Sequence, residues 1–321
     1  MGRGPLFQKN YKASFSGHET FPLRYGWLKK VYDAVTADPD YVDNKQIFLG
    51  EDAIARFGVG KNMVISMRHW AACCGIIEED AKSGQLRATN LGDTLFGHKG
   101  LDPYLENSAS LWLLHWLLCS HSDSRPSKTT WFWVFSHFNG HNFKRDDLVS
   151  GLLKLSEECG WRASNMTIQR DVECFVRMYE TQAVTTSKVN VEESLESPFA
   201  ELGLLRGIKG YFQMIYGPKP SLPIGVFACA LDDFWGEKNP VQTMSFETIA
   251  HDPGAPGRVF LLDETDLANR LLELEAATNG IYRWSETAGL KQVLRERPLK
   301  VKERNLLISK CYSHSRQKEA A

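Results

Sequence analysis

Long apolar runs are missing from this chain of 321 residues. Its most apolar stretch, Ser110 to Leu118, is much shorter than the roughly 20 residues that a membrane-spanning helix needs. Residues 1–5 carry charge but no apolar core follows them, which argues against a secretory signal. We therefore expect a cytoplasmic protein without a membrane partner.

Cysteine is sparse and shows no pairing pattern. The seven cysteines are odd in number, scattered, and mostly placed inside apolar periodic segments. This distribution predicts reduced, buried thiols and excludes a disulfide-stapled fold. With 43% hydrophobic residues, the chain has ample material for the buried cores of two or three domains.

Net charge is also nearly absent, at −1, but it is unevenly distributed. Residues 1–30 hold six basic side chains and one acidic, and residues 289–321 hold nine basic and three acidic. Basic ends are most often solvated tails, although they can also contact phosphate groups. We predict a flexible basic tail at residues 1–15 and a basic tail at residues 291–321.

The clearest pattern present is a helix-turn-helix followed by a hairpin. Two short apolar-periodic segments flank Gly58-Val59-Gly60, and the second ends near Gly75, which suits a helix C-terminus. Two short strands and a capped helix follow as far as Gly97. This order is typical of a module that places its second helix in the DNA major groove. We predict a winged helix-turn-helix domain over residues 16–100.

Several polar side chains of this module are suited to contact DNA, because lysine and arginine neutralise phosphates while asparagine and arginine pair with base edges. The candidates lie on the second helix, on the preceding basic helix and in the wing: Lys61, Asn62, Ser66, Arg68, Lys29, Lys30 and Arg87. Two alternatives remain open. Winged helices also dock proteins, and Arg68 can simply cover core surface with its stem.

A tryptophan-rich helical core with a second helix-turn-helix candidate is predicted over residues 101–180. Ser164 suits an N-cap, and the helix after it offers Asn165, Gln169 and Arg170 as reading residues. A plain core hairpin of helices explains the same pattern equally well. Polar residues 181–196 read as a linker, and residues 197–290 as a C-terminal domain of a hairpin and helices. The fold class is therefore mainly α, of the α+β type, with short β-hairpin wings.

Signatures of cofactor chemistry are weak. Gly60-Lys61 lacks the upstream glycine and the following Ser or Thr of a phosphate-binding Walker loop, so we expect no nucleotide cofactor, nor an organic one. A faint zinc-like order is formed by Cys119, His121, His137 and His141. Their spacing does not give the two close ligand pairs of most structural zinc sites, so it favours surface histidines beside a tryptophan core over a metal site.

Two polar clusters hold the residue types that phosphodiester cleavage needs: a general base, metal-binding carboxylates and a cation for phosphate. One cluster is His18 and Glu19 with Arg24, and the other is Asp102 and Glu106 with His115. Each also has a structural explanation, since the acids suit helix N-termini and His115 suits a hydrogen-bonded core position. The sequence favours the structural explanation for both clusters.

Four segments resemble a bacterial family known only as a domain of unknown function. Genes of that family lie beside phosphoadenosine-phosphosulfate-reductase-like proteins, and it includes the B component of the Ssp single-strand DNA phosphorothioation systems. The resemblance spans roughly residues 15–290. The segments that carry it are Phe15 to Lys30, Gly58 to Val64, Asp102 to Glu106, and Leu111 to Trp116.

The resemblance implies a protein that nicks one strand of double-stranded DNA, so that a cysteine desulfurase and ATP-using sulfur-transfer proteins can place sulfur in the backbone as a defence against phage. It implies Mg²⁺ or Mn²⁺ for cleavage, association with the nucleoid, and a homodimer as one option. A non-catalytic adaptor that positions the sulfur-transfer enzymes is the alternative. The matched motifs make His18, Glu19, Arg24, Asp102 and Glu106 the catalytic candidates, with Asp102 and Glu106 as the metal ligands.

Overall fold

The computed structural model describes residues 4–37, 44–121, 125–181, 197–236, 239–287 and 289–318. Within these ranges the fold is a mixed α+β structure of many helices and small sheets, which confirms the α+β class. The α-helices are α1 Trp27–Thr36, α2 Gly50–Phe57, α3 Lys61–Cys73, α4 Asn90–Phe96, α5 Ser108–Cys119, α6 Thr129–Ser136, α7 Arg145–Glu158, α8 Asn165–Tyr179, α9 Ile224–Trp235, α10 Phe246–His251, α11 Pro256–Val259, α12 Glu264–Ala277 and α13 Val301–Lys318. Short 3-10 helices occupy Pro5–Phe7, Asn44–Phe48 and Pro198–Leu202.

The strands form three small sheets. They are β1 Ile77–Glu79, β2 Leu86–Ala88, β3 Asn142–Phe143, β4 Glu180–Thr181, β5 Leu205–Ile208, β6 Tyr211–Met214, β7 Thr243–Ser245, β8 Tyr282–Thr287 and β9 Leu290–Arg295. β1 and β2 form a hairpin, the second sheet has the order β3-β6-β5-β4, and the third has the order β7-β9-β8. Only the β4–β5 pair is parallel among these pairings.

Local sequence signals set the ends of the key helices. Gly58 follows α2 in the left-handed conformation, at φ 67°, which costs glycine nothing because it has no Cβ. Ser164 caps α8 by accepting a hydrogen bond from the Thr167 N–H, as its position predicts. Helix α3 begins at Lys61, directly after the glycine turn.

Tryptophans fill the centre of the molecule, as their spacing predicts. Trp112 and Trp116 on α5 and Trp131 on α6 are buried, while Trp133 is only partly buried. Trp70 of α3 packs edge-on against Trp131, with the ring centroids 5.4 Å apart. The helix-turn-helix is therefore joined to the tryptophan core by an aromatic contact. No helix in the described ranges combines the length and apolar character required to cross a membrane.

Both predicted tails are largely built into the fold. Leu6 and Phe15 are buried in the core, so residues 4–15 pack against the body. Near the other end, β9 is the central strand of the third sheet. The Tyr312 hydroxyl of α13 lies 2.8 Å from the Ser110 hydroxyl of α5. The prediction of two tails was based on charge alone, and it overlooked the apolar side chains between the charges, a few of which are enough to anchor a segment. Of the predicted linker at residues 181–196, Thr181 lies in β4, and residues 182–196 lie outside the described residues.

Candidate nucleic-acid interface

One loop, residues 14–22, connects the two helix-turn-helix candidates and is called the bridging loop below. The carbonyl oxygen of Phe21 accepts hydrogen bonds from the Ser66 hydroxyl at 3.2 Å and from the Trp70 indole at 2.9 Å, both on α3. On the other side, the Arg177 guanidinium of α8 donates to the Thr20 carbonyl at 3.3 Å. The loop therefore holds α3 and α8 on either side of one backbone segment.

The bridging loop has an uncommon backbone conformation. Gly17 lies at φ +97°, and a Cβ built there would come within 2.5 Å of His69 Nδ1, so the position requires glycine. Glu19 and Thr20 follow at φ 47° and 67°, where residues with a Cβ lose roughly 1–2 kcal/mol each. Both side chains are exposed. Strain concentrated at exposed polar residues is typical of a functional loop.

Beneath the loop lies a buried charge cluster, formed by His18, Lys128 and Asp171. The His18 ring accepts from the Thr20 N–H at Nδ1, 3.0 Å away, so Nε2 carries the proton that is donated to Asp171 Oδ1 at 2.8 Å. Lys128 Nζ donates to the same oxygen at 3.1 Å, and the Thr130 hydroxyl donates to Oδ2. His18 and Lys128 are each 2% exposed and Asp171 is 0% exposed.

The charges of this cluster determine how its acid and its neighbouring base titrate. Burial alone would raise the pKa of Asp171, but the Lys128 charge and the His18 hydrogen bond outweigh it and hold that pKa below its usual range. Burial is the main reason that the pKa of His69 lies well below its ordinary value, and the Lys128 charge lowers it further. At neutral pH the cluster thus holds an ionised carboxylate beside an uncharged His69.

Aromatic rings enclose the cluster. The His18 ring stacks on Trp70 with centroids 6.0 Å apart, and Lys128 Nζ lies 4.8 Å from the centroid of the Trp131 ring. A lysine charge over an aromatic face is stabilised by the ring quadrupole. Sequence analysis missed Lys128 and Asp171. Lys128 stands among polar residues, so nothing local marks it as buried. The available signal for Asp171 is its place on the apolar face of α8, between Ile168 and Phe175. His18 itself is a buried link between elements and does not face solvent.

The other catalytic candidates are not brought together around His18. Glu19 is exposed on the loop, and the Arg24 guanidinium lies over the Trp27 ring at 5.7 Å. His115 is buried in the core, where its ring nitrogens lie 2.8 Å from the Tyr179 hydroxyl and 2.9 Å from the Val259 carbonyl oxygen. Its pKa falls to about 4 because of burial.

Asp102 caps the turn that leads into α5, while the N-cap of the helix itself is Asn107. Its carboxylate accepts hydrogen bonds from the Glu106 N–H at 2.9 Å, the Asn107 N–H at 3.0 Å and the Ser110 hydroxyl at 2.6 Å. Asp102 is buried, whereas the Glu106 side chain is exposed. With three protein donors bound, the Asp102 carboxylate has few lone pairs left to coordinate a metal ion. The predicted Asp102–Glu106 pair is therefore poorly suited to be a metal site. Within the described ranges, no three His, Cys, Asp or Glu side chains are grouped so that they could hold a metal ion.

Of the DNA-contact residues predicted around the first helix-turn-helix, some are exposed and others are buried or already bonded within the protein. Lys61 and Asn62 are exposed in the first turn of α3. Ser66 is 0% exposed and faces the bridging loop, so its hydroxyl has no surface to offer DNA. Arg68 reaches back to Glu79 of β1 at 3.7 Å and lies over Phe48. Its packing matches the alternative in which the arginine stem covers core surface.

The remaining basic residues of this set make surface ion pairs or backbone contacts. Lys29 bonds Asp33 one turn later at 2.5 Å, and Lys30 donates to the Phe57 carbonyl at 3.2 Å. Arg87 in β2 is exposed and donates a hydrogen bond to Glu78 at 2.8 Å. Exposed pairs of this kind are worth little and exchange readily for phosphate.

The second set lies together at the start of α8. Asn165, Gln169 and Arg170 are all exposed there, beside the exposed Met166. The opposite face of α8 carries the buried Ile168, Asp171 and Phe175. Helix α8 therefore presents a polar N-terminal half to solvent while its other face closes over the charge cluster.

Comparison with known proteins gives a consistent result. A crystal structure of magnesium ion-bound SspB matches with a TM-score of 0.78 and 28% identity, covering 95% of this chain and 88% of that chain. A second SspB crystal structure matches with a TM-score of 0.78 and 27% identity, covering 96% and 95%. No relative was found among the curated proteins. The family described as a protein of unknown function, DUF4007, matches residues 15–312. The chain therefore belongs to the DUF4007 family, and its fold is that of SspB.

Proposed function

We propose that this protein is a sequence-specific DNA-binding component of an Ssp-type phosphorothioation system, and that it nicks one DNA strand to permit sulfur modification. On this proposal α2, α3 and the β1–β2 hairpin act as a winged helix. Helix α8 supplies a second reading helix. The partners are double-stranded DNA, a cysteine desulfurase and ATP-using sulfur-transfer proteins, and the protein itself can act as a homodimer.

The observation that carries the DNA-binding part is the shared attachment of the two helices. Both α3 and α8 expose polar side chains near their N-termini: Lys61 and Asn62 in the first turn of α3, and Asn165, Gln169 and Arg170 in the first two turns of α8. Helix N-termini favour phosphate, since their N–H groups and dipole attract anions. The bridging loop fixes both helices and adds its own exposed polar residues.

The nicking part is supported by the likeness to SspB, one structure of which is described as magnesium ion-bound. It is tested by incubating the purified protein with supercoiled plasmid and Mg²⁺ or Mn²⁺. We expect an open-circle product that EDTA prevents. If the plasmid stays supercoiled at protein concentrations that shift it fully on a gel, the protein does not nick DNA by itself.

A second candidate function is the adaptor, which binds DNA and positions the sulfur-transfer enzymes without cutting. The burial of His18 and the three hydrogen bonds to Asp102 favour it, because neither side chain is free to act on a phosphodiester. Plasmid that is bound but uncut by the pure protein, and modified when the sulfur-transfer proteins are added, would support this function instead.

Removing one cation from each helix tests the interface. Lys61→Ala and Arg170→Ala are each expected to weaken binding to all duplex sequences by a similar factor. Each variant makes one phosphate contact fewer, so its binding releases fewer counterions and the slope of log K against log salt should fall by about 1. Asn62→Ala should instead erode the preference for the target sequence. Filter binding over a salt series measures both effects.

The matched control for these variants is Lys302→Ala, which removes an exposed cation from α13. It should bind DNA with the parental affinity and salt slope. Parental binding by the Lys61 and Arg170 variants would show that neither helix contacts DNA.

A further inference from the structure

The four-stranded sheet β3-β6-β5-β4 has one face that the function proposed above does not use. Strand register places Asn142 opposite Gln213, Gln213 opposite Arg206, and Arg206 opposite Thr181. Residues paired across strands project to the same side of a sheet. These four polar side chains therefore form one row across all four strands.

A second row lies two residues further along the same face. Ile208 is opposite Tyr211, and Lys144 follows Asn142 by two positions. Lys144 Nζ lies 4.9 Å from the centroid of the Tyr211 ring, which confirms that both side chains are on one side of the sheet. The opposite face carries the buried Phe143, Leu205, Phe212 and Met214, which belong to the core.

The chemistry of this face is basic, amide and aromatic. Arg206, Asn142 and Lys144 are exposed, and Tyr211 is 49% exposed with the Lys144 charge over its ring. The two rows contain no carboxylate. The nearest acids in sequence are Glu180, Asp146 and Asp147. Glu180 pairs with the buried Leu205 and so lies on the opposite face of the sheet. Asp146 and Asp147 open α7, where the Asp147 carboxylate accepts a hydrogen bond from the Lys144 backbone N–H at 2.7 Å.

The turn between β5 and β6 adds a further cation, Lys209, in a strained backbone conformation. Lys209 and Gly210 connect β5 to β6 with φ values of 41° and 86°, the signs of a two-residue type I′ turn. The first position of such a turn favours Gly, which has no Cβ, or Asn and Asp, whose short polar side chains offset the Cβ strain with local hydrogen bonds; lysine has the strain without that compensation. Lys209 is exposed beside Tyr211. A strained lysine where an uncharged residue folds more easily points to a use for its charge.

We propose that this sheet face binds single-stranded DNA. One base stacks on Tyr211, its neighbours bond to Gln213 and Asn142, and Lys144, Arg206 and Lys209 neutralise the phosphates. Sheet faces that combine cations with exposed aromatic rings bind single strands, because an unpaired base offers a free π-face and a duplex does not. The inference deepens the proposed function: it gives a holding site for the strand that is freed when the duplex is nicked or opened.

The experiment uses the full chain and a fluorescein-labelled 15-mer of thymidylate, measured by anisotropy. Tyr211→Ala is expected to weaken binding roughly tenfold, while Tyr211→Phe keeps the ring and the parental affinity. Lys209→Asn suits the turn better, so it should raise the melting temperature and yet weaken binding at low salt. Bromodeoxyuridine placed in the oligonucleotide should crosslink to the peptide that contains Tyr211.

The outcomes separate this inference from the proposed function. If the parent does not bind the 15-mer, or if Tyr211→Ala binds it like the parent, the sheet face does not hold single strands. Duplex binding that still depends on Lys61 and Arg170 would then leave the proposed function intact. Single-strand binding that depends on Tyr211, in a protein that neither binds nor cuts duplex DNA, would support the sheet-face site and overturn the proposed function.

Discussion

Replacing Asp171 by alanine is expected to destabilise the protein by about 3–5 kcal/mol, because it leaves the Lys128 charge buried without its partner. Lys128 has no exposed side-chain surface, and its ammonium group donates to Asp171 and lies between tryptophan rings. The same substitution removes the acceptor for His18 and so takes away one of the hydrogen bonds that hold the bridging loop. Equilibrium unfolding in urea measures the loss.

The matched control is Glu173→Ala, two residues along the same helix. Glu173 pairs with Arg145 at 3.1 Å, but both side chains are 45% exposed, so its removal should cost under about 1 kcal/mol. Equal losses for the two variants would contradict the importance assigned to the buried cluster. A double variant, Asp171→Leu with Lys128→Met, removes both charges and should recover part of the stability.

The pH dependence of stability follows from the same carboxylate. The pKa of Asp171 is lower in the folded protein than in the unfolded chain, so its ionisation stabilises the fold above the unfolded pKa of about 4. That stability is lost as the pH falls from about 4 through the folded pKa. The parent should therefore lose stability more steeply in acid than the Asp171→Leu, Lys128→Met variant.

The second large effect is expected for Asp102→Ala, at about 2–4 kcal/mol, because three donors lose a buried acceptor. Ser110, one of those donors, also bonds Tyr312 of α13, so the loss extends to the C-terminal helix. Glu106→Ala, which removes the exposed carboxylate of the same motif, should change stability by less than about 0.5 kcal/mol. Thermal unfolding of the two variants provides the comparison.

These two variants also separate structure from chemistry. If Asp102 acts only as a cap, the protein that remains folded in Asp102→Ala nicks plasmid at the parental rate. If Asp102 and Glu106 hold a divalent ion, both variants lose nicking, whatever their stability. Loss of nicking in both folded variants would reverse the conclusion drawn from the hydrogen bonds of Asp102.

Much of the fold follows from local signals in the sequence. The end of α2 at Gly58 and the Ser164 cap of α8 depend on residues within one turn, so reading the sequence places them correctly. The two-residue strands β3 and β4 could not be predicted, because each exists only by pairing with a strand far along the chain. Their own length carries no periodicity.

The site was less predictable than the fold for the same reason. His18 stood out through its motif, but its partner Asp171 is 153 positions away in the sequence. Ser66 has the polarity of a reading residue and is nevertheless buried, since the Phe21 carbonyl covers it. Polarity identifies side chains that can bond to DNA, whereas only packing shows which of them remain available.

The bridging loop has a thermodynamic consequence for recognition. Because its backbone is bonded to both α3 and α8, the relative orientation of the two helices is already fixed when the protein folds. Two independent domains on a flexible linker would lose rotational and translational freedom when the second of them engaged the ligand. Here that entropy is already lost when the protein folds. On the proposed function, nearly all of the interaction free energy of the second helix with DNA therefore contributes to the binding affinity.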